Sequence, residues 1–379
     1  MEMIAIPGML MVGSRCKSDG KTAFTRALIE RFAAQHDVVG VKVTTVDNFN
    51  TSHHPEVAGS DKNDSCMGPY YITEETDARS KTDTGQMLAA GAKRVFWLLA
   101  LKDHLEQGAK ALLETLGEEI VSICESNRAR SVIEPGAFLM LEGTDSKDWK
   151  PSALEVVGYA DRLVQSDGTG FDIDPNDIQL LDGRWVVRAP ATAIILAGGG
   201  SSRMGQDKSM LPIAGKPMIK HVYEQLRPYF AQILVSSNNA AAHDFLGATV
   251  VVDDAAGKGP MMGVVSALRA SAHEVNFVIA CDMPDIDTAL MRAILRQAGD
   301  YDAVVPRVGA DLYEPLFAVY KKSALPAMEE LLRSGNNKII DSHSRCRVRY
   351  VDLPGRQFRN INTKAEYSGL VEERGDVGI

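Results

Sequence analysis

The chain has 379 residues, 45% hydrophobic and 24% charged, with a formal net charge of −9. That length suits two domains, each able to bury most of its own apolar surface. The composition is that of a globular protein. No stretch approaches the run of about 18 apolar residues that a membrane span requires, and the acidic balance gives no general attraction for nucleic acid.

Met1–Leu10 is apolar but carries Glu2 and runs into a glycine-rich turn, so it reads as a first strand rather than a signal peptide and points to the cytoplasm. Through both halves, β-branched runs alternate with helical patterns, which predicts an α/β protein built on largely parallel sheets. In the first half the expected strands are Ile4–Val12, Val38–Thr44, Arg94–Ala100, Ile120–Cys124 and Ala137–Leu141. Helices are expected over Lys21–Gln35, Asp83–Ala90 and Asp103–Leu116. The polar region Asp47–Tyr70 reads as a long surface loop. His53 and His54 within it lack a second ligand pair and read as solvated rather than metal-binding. Cys16, Cys66, Cys124, Cys281 and Cys346 show no paired spacing, which argues against a disulfide framework or a structural zinc site.

Between the first strand and the first helix stand Gly13 and then Gly20-Lys21-Thr22. This is the setting of a phosphate loop, in which backbone N–H groups and the helix dipole hold phosphate, a lysine reaches its terminal oxygens and a threonine ligates Mg²⁺. Six residues separate the two glycines where the common loop has four, and a helix that merely starts at Asp19 is the competing reading. The segment resembles the variant loops of dethiobiotin synthetase-type P-loop proteins. Asp47, Glu125 and Glu142, each near an expected strand end, are the candidate metal or water-positioning acids.

Ile178–Arg188 reads as a hairpin turning at Asp182-Gly183. A new alternating pattern begins beyond Pro190, so the domains are set at 1–188 and 189–379. The strand Thr192–Ala197 runs into Leu196–Lys208, LAGGGSSRMGQDK. Glycines there let the backbone turn and bring its N–H groups close to phosphate oxygens, and Arg203 and Lys208 add charge suited to a triphosphate. Leu196, Ala197, Gly198, Gly199, Gly200 and Lys208 are therefore the expected nucleotide-binding run. Asn238 and Asn239 end the next strand, where either suits a base or ribose contact. VVVDD ends in Asp253-Asp254, and Gly259-Pro260 opens a helix. Asp282 closes the apolar strand NFVIACD, a natural place for a hard-oxygen ligand to Mg²⁺ beside phosphate. Cys281 reads as core. Tyr313–Lys322 reads as a strand before a helix over Ala324–Arg333, and alternation along FRNINT predicts a strand that puts Asn360 and Asn362 on one face.

The second half resembles the molybdenum cofactor nucleotidyltransferases over about 185 residues, and most closely the guanylyltransferase branch. The landmarks are Leu-Ala-Gly-Gly, Ser, Arg-Met-Gly and Asp-Lys within 196–208, Gly215-Lys216-Pro217, Cys281-Asp282-x-Pro284, Pro315-Leu316 with Tyr320, and Asn360-x-Asn362-Thr363. The resemblance implies a Rossmann-like nucleotide-diphospho-sugar transferase type α/β/α sandwich, with Arg203, Lys208 and Asp282 catalytic, Asn238 and Asp253 on the nucleotide, and Mg²⁺ on Asp282 and Asn362. It also implies GTP as donor and molybdopterin, loaded with molybdenum, as acceptor, with molybdoenzymes or other cofactor-assembly proteins as docking partners. Lys364 and Tyr367 depart from the family pattern and predict a looser start to the last helix. Molybdenum cofactor assembly also uses a small P-loop GTP-binding protein, so a fusion with such a domain makes functional sense. The alternatives are a cytidylyltransferase for the same pterin, a sugar-phosphate nucleotidyltransferase, and a nucleotide-controlled carrier or adaptor without catalysis.

Overall fold

The computed structural model describes residues 3–16, 19–49, 68–117, 120–144, 148–197, 207–255 and 257–374. Internal contacts divide the chain into two compact units, Met1–Val187 and Arg188–Ile379. Both are α/β.

In the first unit, seven strands among the described residues form one sheet: β1 (Ile4–Ser14), β2 (Val39–Val46), β3 (Tyr70–Glu74), β4 (Arg94–Leu101), β5 (Ser122–Glu125), β6 (Ile133–Gly143) and β7 (Arg162–Ser166). Their order is β3-β4-β2-β5-β1-β6-β7, parallel throughout except for β3, which runs antiparallel to β4. The helices are α1 (Lys21–Ala33), α2 (Asp83–Ala89), α3 (Leu105–Leu116) and the single turn α4 (Pro151–Leu154). Phe24, Leu28, Ile29 and Phe32 of α1 and Met87 of α2 pack on one face of the sheet, and Leu105, Ala109 and Leu112 of α3 pack on the other. Coverage of both faces explains why β5, Ser-Ile-Cys-Glu, is buried at every position. The hairpin β8 (Ile178–Leu181) and β9 (Arg184–Val187) turns at Asp182 and Gly183, with φ of 49° and 75°. Both values are the left-handed conformations that a tight hairpin turn requires.

Two strands of this unit escape the sequence pattern. β3 begins at Tyr70, the residue at which the expected loop ends, and residues 50–67 of that loop lie outside the described residues, His53 and His54 among them. β7 is amphipathic and lies at the sheet edge, where no continuous apolar run marks it.

The second unit has the strand order β14-β13-β10-β15-β17-β16-β18 among its described residues. Its strands are β10 (Ala189–Leu196), the short pair β11 (Pro212–Ile213) and β12 (Lys216–Pro217), β13 (Phe230–Ser236), β14 (Thr249–Val251), β15 (Val275–Ala280), β16 (Ala303–Arg307), β17 (Phe317–Lys321) and β18 (Val348–Asp352). The helices are α5 (Met218–Leu226), α6 (Pro260–Ala270), α7 (Thr288–Arg296), α8 (Leu325–Arg333), α9 (Ile339–Ser342) and α10 (Lys364–Glu373). Side chains of α5 and α7 pack on one face of the sheet, and those of α6, α8 and α9 on the other. The sheet is mixed because β17 runs antiparallel to both β15 and β16. That reversal brings the approach to β17 to the edge where β15 ends, since Ile279 pairs with Phe317.

Three expectations change here. The turn before α5 is centred on Ala214 and Gly215, with φ of 48° and 73°, one residue earlier than the Gly-Lys-Pro reading. The strand ending the Tyr313–Lys322 segment starts only at Phe317. FRNINT is not a strand: Ile361 is buried with Leu211, Ile213, Met218 and Leu370, and this anchor, rather than a β-ladder, fixes the segment.

His343 is buried against Tyr313, Tyr320 and Tyr350, and burial pushes its pKa down from 6.5 to about 4. Its folded form is held neutral, so the stability it contributes is full above pH 6.5 and is lost as the pH falls toward about 4, where the unfolded chain takes up the proton first. His343→Leu therefore shows a smaller drop in urea midpoint across that window than the parent protein. Equal drops would contradict the assignment.

Candidate active site

The candidate residues of the second unit that the structure describes gather at the carboxyl ends of β10, β13 and β15, the edge at which open α/β sheets bind their ligands. Strand β10 delivers Leu196 and Ala197, held to both neighbours: Cys281 N–H donates to Leu196 O at 3.0 Å, and Ala197 N–H donates to Ser236 O at 2.9 Å. Gly198, Gly199, Gly200 and Arg203 lie outside the described residues. The Asp207 carboxylate caps the turn Lys208–Met210 by accepting from Ser209 N–H at 3.0 Å.

This cap aims Lys208 at two oxygens. Its Nζ lies 3.5 Å from Asp282 Oδ2 and donates to Asn362 Oδ1 at 3.0 Å. The backbone reinforces the convergence, because Ile361 N–H donates to Asp282 O at 2.9 Å. Burial pushes the Asp282 carboxyl above its ordinary value while Lys208 pulls it back. A desolvated carboxylate held against one shared cation is therefore ready to accept more positive charge. The half-buried Cys281 thiol is pushed up to about 12, first by desolvation and then by Asp282, so it stays protonated and packs against the core.

A second cluster lies along β13 and β14. Asn238 Nδ2 donates to Asp253 Oδ2 at 3.0 Å, and Asp253 N–H donates to Asn238 Oδ1 at 3.1 Å. Asp254 instead pairs with Arg269, so the two adjacent aspartates have separate partners. Helix α6 comes close behind the pair through Gly263, where a Cβ would sit 2.6 Å from Ser236 Oγ and 3.4 Å from Asp253 Oδ1.

Asn360 and Asn362 are divided between partners. Asn362 meets Lys208, whereas Asn360 hydrogen-bonds Glu314, a partly buried acid whose pKa burial raises and Asp282 raises further. The sequence reading missed Glu314, which reaches this edge because β17 runs backwards. Glu366 was also missed. Its carboxylate accepts from the N–H groups of Asn362 and Thr363, both at 2.7 Å, and Thr363 Oγ1 accepts from Glu366 N–H at 3.2 Å. This reciprocal capping box starts α10 firmly, with Tyr367 Oη donating to Pro212 O at 2.6 Å. The departures at Lys364 and Tyr367 therefore do not loosen the helix start.

In the first unit, Gly20 caps α1 in the left-handed conformation with φ of 79°, leaving Lys21 and Thr22 in its first turn. Gly13 lies in β1, where a Cβ would press at 3.0 Å on Asn127 Oδ1 and the Phe138 ring. Of the three candidate acids, Glu125 comes to the loop: its Oε1 lies 3.2 Å from Lys21 Nζ, and its Oε2 is buried without a hydrogen-bond partner. Asp47 is exposed and pairs with Lys102, and Glu142 pairs with Arg15. Thr22 Oγ1 donates to Asp83 Oδ1 at 3.1 Å, and Asp83 is also paired with Lys42. Among the described residues no group of three or more His, Cys, Asp or Glu side chains forms a metal cage in either unit, and no helix is long and apolar enough to cross a membrane.

At this carboxyl edge a capped lysine meets a strand-terminal aspartate and one asparagine, and the model of the MobA-like NTP transferase domain matches residues 193–346, which makes this unit a nucleotidyltransferase. A probable molybdenum cofactor guanylyltransferase of Pelotomaculum thermopropionicum is 40% identical over 184 residues, 46% of this chain and 89% of that relative. One from Carboxydothermus hydrogenoformans is 35% identical over 189 residues, 48% of this chain and 95% of the relative. The crystal structure of molybdopterin-guanine dinucleotide biosynthesis protein A from Archaeoglobus fulgidus aligns at 26% identity and a TM-score of 0.43, covering 49% of this chain and all of that one. Through its second unit, the chain belongs to the molybdenum cofactor guanylyltransferase family.

The capping box also holds a site amide. Thr363→Ala should lower stability by about 1 kcal/mol, the usual loss on removing an N-cap side chain, and reduce transferase turnover because Asn362 loses its mooring. Thr363→Ser should restore both, as measured by thermal unfolding and steady-state kinetics.

Proposed function

We propose that the second unit transfers GMP from GTP to molybdopterin, in its molybdenum-loaded form, giving the guanine dinucleotide cofactor and pyrophosphate. The observation that carries this reading is the convergence of Asp282 and Asn362 on the Lys208 ammonium, together with membership of the family. The reaction is an in-line attack of an acceptor phosphate oxygen on the α-phosphorus. The acceptor is already anionic, so the chain needs no strong base. It must align two anions and offset their repulsion.

In this reading, the amides of Gly198–Gly200 with Arg203 and Lys208 grip the triphosphate, while Asn238 and Asp253 position the nucleoside. Hard oxygens on Asp282 and Asn362, already drawn to one positive group, fit Mg²⁺, which keeps few protein ligands and shares phosphates. When bound, Mg²⁺ would supply Lewis-acid neutralisation of phosphate charge. In this reading the protein works in the cytoplasm, with molybdoenzymes or other assembly proteins receiving the product. The Gly198-Gly199 pair favours GTP over CTP by family resemblance.

Asp282→Ala should reduce turnover at least about 100-fold, as expected on removing one preorganised stabilising group. In the same assay GTP should outcompete CTP. Intact turnover in the variant, or a preference for CTP, would overturn the assignment.

For the first unit we infer a nucleoside triphosphate site on Gly13, Gly20, Lys21 and Thr22. Its support is Glu125, only 3% exposed, with one oxygen on Lys21 and the other unpartnered, so Thr22 and Glu125 are fitted to share Mg²⁺. Calorimetry on the full chain should count two bound nucleotides, and one in Lys21→Ala. Two in both would remove this site.

A further inference from the structure

Beside the phosphate loop of the first unit lies a cavity of about 450 Å³, roofed by the carboxyl ends of β2 and β5 and by the segment entering α4. Its volume is within the range of about 300 to 1,000 Å³ typical of small-molecule sites, more than the end of a triphosphate fills. Four cations, Lys21, Lys42, Arg128 and Lys150, line it against two carboxylates, Asp83 and Glu125. In a chain of net charge −9 this local positive excess is not a reflection of composition.

The cations differ in how they are compensated. Lys21 meets Glu125, Lys42 meets Asp83, and Arg128 reaches out to Glu155 at 3.3 Å. Lys150 Nζ instead donates to a neutral hydroxyl, Ser14 Oγ, at 3.0 Å. Its backbone is fixed to the loop that leads to the phosphate site: Lys150 N–H donates to Arg15 O at 3.2 Å, Cys16 Sγ donates to Asp148 O at 2.7 Å, and the Arg15 guanidinium stacks on Trp149 at 5.0 Å. Burial, and then Lys21, push the Lys150 pKa down to about 8 against the opposing pull of Asp19, Cys16 and Glu125, so its charge is held at a net cost that a further anion would relieve.

We propose that this cavity binds a small anionic co-substrate, a carboxylate or a phosphate, with Lys150 as its principal contact and Lys42 and Arg128 facing it. The proposal takes its orientation from the nucleotide reading of Lys21 and Thr22: the anion lies where the terminal phosphate of a bound nucleotide would meet it. The first unit is then a two-substrate site rather than a nucleotide switch.

The test is calorimetry on the full chain with inorganic phosphate and, separately, succinate, each with and without a saturating non-hydrolysable GTP analogue and Mg²⁺. Whichever probe binds more tightly identifies the class of anion. Lys150→Ala should weaken that binding at least about tenfold, the loss expected for one charge-assisted hydrogen bond, and Lys150→Arg should restore it, separating lost charge from lost fold. Anion binding unaffected by Lys150→Ala, or abolished by the nucleotide analogue, would overturn the proposal, because the cavity would then be only a phosphate seat. If the parent and Lys21→Ala bind equal numbers of nucleotides while Lys150→Ala still loses the anion, the nucleotide reading fails and the anion site stands.

Discussion

The second unit is organised around one ammonium group. Lys208 meets the carboxylate of Asp282 and the amide of Asn362, and these come from a capped turn, a strand end and the start of the last helix. Without that cation, a carboxylate whose burial already raises its pKa would stand uncompensated near a second partly buried acid, Glu314. The desolvation that makes the group costly also makes it useful, since charge interactions strengthen as water is excluded. The helix cap at Thr363 and Glu366 and the hydrogen bond from Ile361 to Asp282 keep the third partner in place.

The first unit reaches a similar arrangement by other means. There a buried carboxylate, Glu125, meets the lysine of a loop that a left-handed glycine hands to a helix. The two sites share a logic in which strand ends supply acids and loops supply cations. The first unit also places a broad cationic cavity next to its loop.

Much of this was legible in the sequence. Apolar runs such as NFVIA and FLML are buried on both sides and announce their strands by hydrophobicity alone, and Asp182-Gly183 announces its turn through the positive φ it requires. Asp282 and Lys208 stood out because each ends or follows a strong element. What stayed hidden depends on distant contacts. The alternation of FRNINT mimics a strand, yet the segment is set by the burial of Ile361, and Asn360 and Asn362 have different partners. Glu314 is an ordinary loop acid until the reversal of β17 carries it to the site edge. Lys150 is marked by no motif, because its partner Ser14 comes from the end of β1, 136 positions away in the chain.

The hydrogen bond from Lys208 to Asn362 spans 154 positions. A ribosome emits the lysine long before the asparagine, so the growing chain carries an incomplete centre through most of the synthesis of this unit. Because domains fold as units once their chain has emerged, the segment that opens α10 closes this contact last, as a clasp on a unit otherwise already synthesised.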